Sequence, residues 1–186
     1  MTLLTRDDIY QPLRGNETEN LFLHLLKARV ESDDPNQHLN LYPEYQRGHV
    51  WTDQQASLFV GSMLGGNPGI PPIWVRRWPT GHRNFQPDEV VDGKQRLTAI
   101  IRWMNGEIPA VIPERDLTFF ARDVEPGHFR RITGIGGPTF TIKYLEGYSD
   151  AEIMRVYLRL NRGGTVHTDA EIARVEALLK AASAKR

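Results

Sequence analysis

The chain has 186 residues, 40% of them hydrophobic and 25% charged. That is enough for one ordinary globular domain with a buried core. Lys plus Arg and Asp plus Glu are both 23, so the formal charge is zero, and the general basicity expected of a nucleic-acid-coating protein is missing. There are no cysteines, which excludes disulfides, thiolate metal sites and thiol catalysis.

The first residues, Met1 to Asp8, become acidic almost at once and contain no apolar core of a signal peptide. No run approaches the ~18 apolar residues of a membrane helix. The expectation is a cytoplasmic protein.

In chain order, Leu21, Phe22, Leu25 and Leu26 fall on one face of a helix over residues 16–30, with a start signal at Asn16 and Thr18. Asp33-Asp34-Pro35-Asn36 ends it. Leu39 to Tyr42 alternates apolar and polar and predicts a short strand. Thr52 with Gln55 three residues on makes a capping box. The helix that follows turns Ala56, Phe59, Val60 and Met63 inward and stops at Gly65-Gly66.

Ile73-Trp74-Val75 predicts a strand running into a basic loop over residues 76–87. Glu89-Val90-Val91 predicts a second, broken by Asp92-Gly93. Leu97, Ile100, Ile101 and Met104 then recur at helical spacing up to a left-handed cap at Asn105-Gly106. Residues 118–129 and 134–138 read as loops. Phe140 to Leu145 alternates as a strand. Ser149 and Glu152 cap a helix carrying Ile153, Val156, Tyr157 and Leu160, which ends at Asn161-Arg162-Gly163-Gly164. A last helix starts at Thr168-Asp169 and frays from Ala181.

The chemistry concentrates in three segments. In Val90 to Arg96, a strand feeds a glycine and then a helix, so backbone N–H groups at the helix start point one way and carry the positive end of the macrodipole. Phosphates bind such ends. Lys94 and Arg96 stand against the dipole there, which implies either an anionic ligand or carboxylate partners. Asp92 is placed to hold a metal or act as a base. A capped helix with a surface Lys and Arg explains the same spacing.

The second segment, Pro43 to Trp51, groups Tyr45, Gln46, Arg47, His49 and Trp51. Arg47 suits bidentate phosphate contacts. Tyr45 and Trp51 suit either base stacking or the core, and His49 reads as a surface residue. The third segment is Leu160 to Thr165. It reads first as a helix end and a turn, and becomes a site only where Asn161 and Arg162 face the same cleft.

The six histidines show no metal-ligand spacing. No GxSxG, Walker-type or GxGxxG motif is present.

Taken in order, YPEYQRGHVW, VVDGKQRLTAI and LNRGGTVHTDAEI resemble the N-terminal domain of GmrSD-type restriction proteins, a branch of the ParB/sulfiredoxin-like superfamily. The resemblance runs over about residues 15–175. It implies a single α+β domain filling the chain, with a small mixed sheet flanked by helices. It also implies a DGxQR turn that binds the phosphates of a nucleoside triphosphate, ATP first, with Mg²⁺, and acts with or on DNA, including modified DNA.

By position, Gln46 and Arg47 match the YQR pair. Asp92, Gly93, Gln95 and Arg96 match DGxQR, and Asn161 and Gly164 match the later element. Lys94 stands where the family often has Gln. The resemblance thus assigns catalysis to Asp92, Arg96, Arg47 and Gln95, nucleotide binding to Gln46, Gly93, Lys94, Asn161 and Gly164, and the metal to Asp92.

The full-length relatives carry a C-terminal HNH nuclease, which this sequence does not contain. Sulfiredoxin chemistry needs a cysteine. The expectation is a stand-alone domain of a phage or mobile element, acting as an NTPase or kinase-like phosphotransferase. The alternatives are a nucleotide-gated DNA-binding module without turnover and a ParB-like nuclease with Glu89 or Glu171 as helper carboxylate. Arg76 to Arg83 and Arg122 to Arg131 are the clusters expected to touch DNA phosphates.

Overall fold

The structure is a computed structural model and describes residues 15–46, 48, 50–67, 69–78, 86–161 and 169–184. Its elements are β1 (Gly15–Phe22), α1 (Leu23–Val30), β2 (Leu39–Asn40), α2 (Asp53–Leu64), β3 (Ile73–Arg77), β4 (Asp88–Asp92), α3 (Lys94–Met104), β5 (Ala110–Ile112), β6 (Leu117–Phe119), α4 (Pro126–Thr133), β7 (Thr139–Glu146), α5 (Asp150–Asn161) and α6 (Asp169–Ala184). Strands β1-β7-β3-β4-β2 form one mixed sheet in that order, and β5 and β6 form a separate ribbon. β7 runs parallel to β3, and β4 runs parallel to β2. The other pairs are antiparallel.

Successive strand residues point to opposite faces, and here both faces are covered. Val90 of β4 and Tyr144 of β7 join a large core with Leu23 and Leu26 of α1, Val60 and Met63 of α2, and Leu97, Ile100 and Trp103 of α3. Their neighbours Val91 and Leu145 enter a second cluster with Ile153, Val156 and Tyr157 of α5 and Val175 of α6. This is the α+β domain that the family resemblance implies, with the sheet between two helical layers. No helix among the described residues is long and apolar enough to cross a membrane.

Several local expectations hold. Thr52 and Gln55 make the capping box, with Thr52 accepting from the Gln55 N–H at 3.2 Å and Gln55 from the Thr52 N–H at 2.9 Å. Ser149 and Glu152 make the corresponding contacts before α5.

Others are corrected. Residues 16–22 are not helical: they pair with β7 from Glu17 opposite Tyr144 to Phe22 opposite Thr139. Asn16, Thr18 and Asn20 have weak helix preference, and the open edge of β7 offers the backbone a complete ladder instead. The helix begins only at Leu23, and Leu25 is left exposed.

The strand over 39–42 is only Leu39–Asn40. Residues 118–129, read as a loop, contain the end of β6 and the first half of α4, which Pro126 starts at its first turn, whereas 134–138 is a loop as expected. The loop placed at 76–87 begins later, because Arg76 and Arg77 complete β3. Within α3 the buried stripe is Leu97, Ile100 and Trp103, with Ile101 and Met104 only partly covered.

Candidate functional site

β4 delivers Asp92 to the edge of the main core, and the chain must turn there within one residue to start α3. Gly93 does this at φ 105, in the left-handed region. A Cβ at Gly93 would lie 2.2 Å from Ile73 Cδ1, so space as well as backbone conformation demands glycine. Glycine has no side chain to cap the helix, and α3 begins without a side-chain cap. The backbone N–H groups of its first turn, which have no intrahelical acceptor, define the phosphate-ready end.

The two cations of that first turn are placed differently. Arg96 is buried and folds back: Nη2 donates to Asp92 Oδ2 at 2.8 Å and to Pro72 O at 3.4 Å, while Nη1 donates to Pro71 O. Burial pulls the Arg96 pKa down, and Asp92 works against that shift. Of the two causes the sequence leaves open for cations against the dipole, Arg96 has the carboxylate partner.

Lys94 is 4% exposed and lies under the ring of Tyr42, its Nζ 4.2 Å from the centroid. Burial lowers its pKa. Tyr42 itself is 69% exposed, so an aromatic ring stands in solvent over this end of the helix.

Two glutamine amides bind the second segment to the first. Gln46 Nε2 donates to Val90 O and Val91 O, both at 2.9 Å, and so occupies the carbonyls at the end of β4. Gln95 Oε1 accepts from the Val50 N–H at 3.2 Å and lies at 3.5 Å from the Trp51 N, while its Nε2 donates to Gly48 O at 3.1 Å. Trp51 packs against Phe59 beside the main core, which settles its structural role. Tyr45 is buried with its ring edge-on to Tyr157, at 5.5 Å.

The structure therefore joins Gln46, Asp92, Gly93, Lys94, Gln95 and Arg96. Asn161 is not joined to them by any hydrogen bond among the described residues, since its amide donates to Tyr157 O at 2.8 Å and finishes its own helix. Arg47, His49, Arg162 and Gly164 lie outside the described residues, as does the side chain of Glu171.

Sequence reasoning missed a second polar assembly, on the other face of β4. Arg76 is 5% exposed. Its Nη2 donates to Asp150 Oδ1 at 2.7 Å and to Tyr148 O at 3.3 Å, and its Nη1 to Glu89 Oε2 at 3.4 Å. The guanidinium stacks 3.6 Å from the Trp78 ring centroid, and the Tyr45 hydroxyl donates to Glu89 Oε2 at 3.3 Å. Burial raises the Glu89 pKa, with Arg76 opposing. Burial likewise raises Tyr45, and the Glu89 charge adds to that shift.

Arg77, on the opposite face, lies 3.4 Å over the Tyr144 ring and pairs with Glu17 and Asp88. Arg76 and Arg77 are therefore held by carboxylates and aromatic rings within the fold, which corrects their assignment to a DNA-facing loop. Arg122, Arg130 and Arg131 remain exposed.

Among the described residues no group of three or more His, Asp or Glu side chains is gathered to hold a metal. Asp92 alone fits the sparse mode of Mg²⁺, which takes one or two carboxylates, substrate phosphates and water. Its side chain is about a third exposed, and only Oδ2 is engaged by Arg96.

A mixed α+β domain with a glycine-started helix end, braced by two amides, is the class that fold and site define. Residues 30–133, more than half of the chain, match the family model described as GmrSD restriction endonuclease, N-terminal domain. The chain belongs to this family, which associates it with DNA restriction. The matched region contains both the 43–51 segment and the 92–96 turn, and excludes Asn161. Among curated proteins and among solved structures, nothing matches the chain.

Proposed function

We propose that the chain binds a nucleoside triphosphate at the start of α3 and couples that binding to action on DNA. The observation that carries this reading is the uncapped first turn of α3, started by Gly93, with Lys94 in it and Asp92 beside it. A bound anion would meet oriented N–H groups and the positive end of the helix. Gln46 and Gln95 hold the neighbouring segment in place before any ligand arrives, which lowers the ordering cost of binding.

In this reading Arg96 positions Asp92 through their ion pair, while Lys94 and the backbone meet the phosphates. Arg47, next to Gln46 in sequence, would supply a further guanidinium. The family resemblance would add Asn161 and Gly164 to nucleotide binding. Asp92 would be the residue to hold Mg²⁺, which would supply the charge neutralisation that phosphoryl transfer mainly requires.

One observation favours a second reading, a nucleotide-gated DNA-binding module without turnover. Asp92 Oδ2 is already committed to Arg96, so a single carboxylate oxygen is left for a metal or a water.

Thermal-shift measurements with ATP, CTP, GTP and UTP, with and without Mg²⁺, test the proposal. A nucleotide at a hundred times its Kd stabilises the fold by about 2.7 kcal/mol. At least one nucleotide should raise Tm in wild type, and no shift with any of them contradicts the reading. Asp92→Asn separates the two versions: retained shift with lost hydrolysis supports the enzyme, and absence of hydrolysis in wild type supports the module.

A further inference from the structure

Among the described residues every Phe, Tyr and Trp ring but one is buried or half-buried. The exception is Tyr42, which is 69% exposed. A ring of this size ordinarily adds a large apolar area to a core or an interface, so one left in solvent calls for a local cause.

The position of Tyr42 is held on both sides. Leu41 before it is buried in the main core, and Pro43 after it is buried as well. The Tyr42 N–H donates to Asn40 Oδ1 at 2.8 Å, and the Gln46 N–H donates to Pro43 O at 2.9 Å. The Gln46 side chain in turn bonds the end of β4. A fixed backbone therefore presents an exposed ring.

That ring stands at the start of α3. The Lys94 ammonium lies 4.2 Å from its centroid, so one face covers a first-turn cation and the other is left to solvent. The two rings that the 43–51 segment offers for base stacking are taken by packing. Tyr45 is buried against Tyr157, and Trp51 packs on Phe59.

We propose that Tyr42 is the platform on which the ligand's nucleobase stacks, which makes the ligand a nucleoside phosphate and not a bare polyphosphate. The inference rests on the nucleotide reading of the α3 start and adds what holds the other end of the molecule. Every base has a π-face, so this contact contributes affinity without choosing among bases. A tyrosine has few torsions to lose, and a backbone fixed beforehand lowers the ordering cost of binding.

Shielding Lys94 is the simpler role for the ring. The two roles differ in what they do for a ligand that has no base. Calorimetric titration of ATP and of inorganic tripolyphosphate, each with Mg²⁺, into wild type, Tyr42→Phe and Tyr42→Ala separates them.

Tyr42→Ala should weaken ATP binding on the order of tenfold more than tripolyphosphate binding, equivalent to about 1.4 kcal/mol and within the range of base–aromatic stacking. Its Tm should match wild type, because the ring is exposed. Tyr42→Phe keeps the π-face and should bind both ligands as wild type does.

An equal loss for the two ligands in Tyr42→Ala means that the ring acts only through Lys94 and overturns the proposal, as does no loss for either. Weaker binding of a short single-stranded DNA at unchanged ATP affinity would also overturn it, since the ring would then serve a DNA base. The nucleotide reading survives each of these results. A wild type that binds neither ATP nor tripolyphosphate removes that reading and this inference with it.

Discussion

The C-terminal end of β4 and its N-terminal half each bury an arginine against a carboxylate, and they do so in different ways. At the turn, Arg96 joins Asp92 four residues away, and its remaining bonds go to the backbone of Pro71 and Pro72. At the other end, Arg76 gathers Glu89, Asp150, Tyr148 and Trp78 from separate parts of the chain. The first is a local device on a helix start and leaves a backbone surface for an anion. The second neutralises its own charge internally and leaves an acidic cavity. Two arginines in one small domain therefore differ in purpose according to what the surrounding backbone offers.

The largest effect expected at the turn is that of Gly93→Ala. The new Cβ combines a left-handed backbone with a 2.2 Å approach to Ile73 Cδ1. Strain of about 1–3 kcal/mol from the backbone adds to overpacking of similar size. Chemical denaturation should show a loss on the order of 3 kcal/mol. A loss under about 1 kcal/mol would mean that the turn relaxes freely and is not braced.

Gln46→Ala asks whether the amides do the bracing. It leaves the Val90 and Val91 carbonyls without their side-chain donor, and each unsatisfied buried group costs about 1–3 kcal/mol. Water can reach this half-buried position, so the expected loss is about 1–2 kcal/mol. Amide exchange should speed up across residues 43–51, with α5 unaffected. Unchanged exchange in that segment would assign the bracing elsewhere.

The smallest effect belongs to the other end of β4 and reads its pH dependence. Glu89 has a folded pKa above its ordinary value because burial disfavours the charged form. The folded state therefore holds this proton more tightly than the unfolded chain does. The resulting cost is absent below the ordinary glutamate pKa, grows as pH rises to the folded value, and is constant above it. Glu89→Gln removes the titration. The stability of the variant relative to wild type should rise with pH through that window and then level off. A flat difference would show that Arg76 fully offsets the burial.

These two regions also mark what a sequence discloses. The capping boxes at Thr52 and Ser149 and the break at Asp92-Gly93 involve residues within a few positions of each other, and pattern alone located them. The same holds for the alternation in β7, where Phe140, Ile142 and Tyr144 face the main core.

β1 was legible only as an amphipathic helix, because its partner in β7 lies more than a hundred residues away and pairing through the backbone leaves no trace in side-chain spacing. Arg76 looked like loop charge for a related reason. Nothing near it in sequence announces Asp150, and an arginine pair after Ile73-Trp74-Val75 resembles an exit from a strand. At the candidate site, the sequence motifs single out Gln46 and Asp92 to Arg96, and Gln46 bonds the end of β4 while Asp92 bonds Arg96. Their division of labour was not legible, since only coordinates reveal that Arg96 turns inward to Asp92 while Lys94 lies at the uncapped helix end beneath Tyr42.

The central claim is that phosphate binds at the start of α3, and calorimetric titration of Mg²⁺–ATP into wild type and Lys94→Met tests it most directly. Methionine matches the buried stem of Lys94 and removes its ammonium, along with the contact that ammonium makes with Tyr42. Loss of a charge-assisted hydrogen bond costs about 1.5–3 kcal/mol, so the variant should bind at least about tenfold more weakly at unchanged Tm. Equal affinity in the two proteins would contradict the account and move the nucleotide away from this turn.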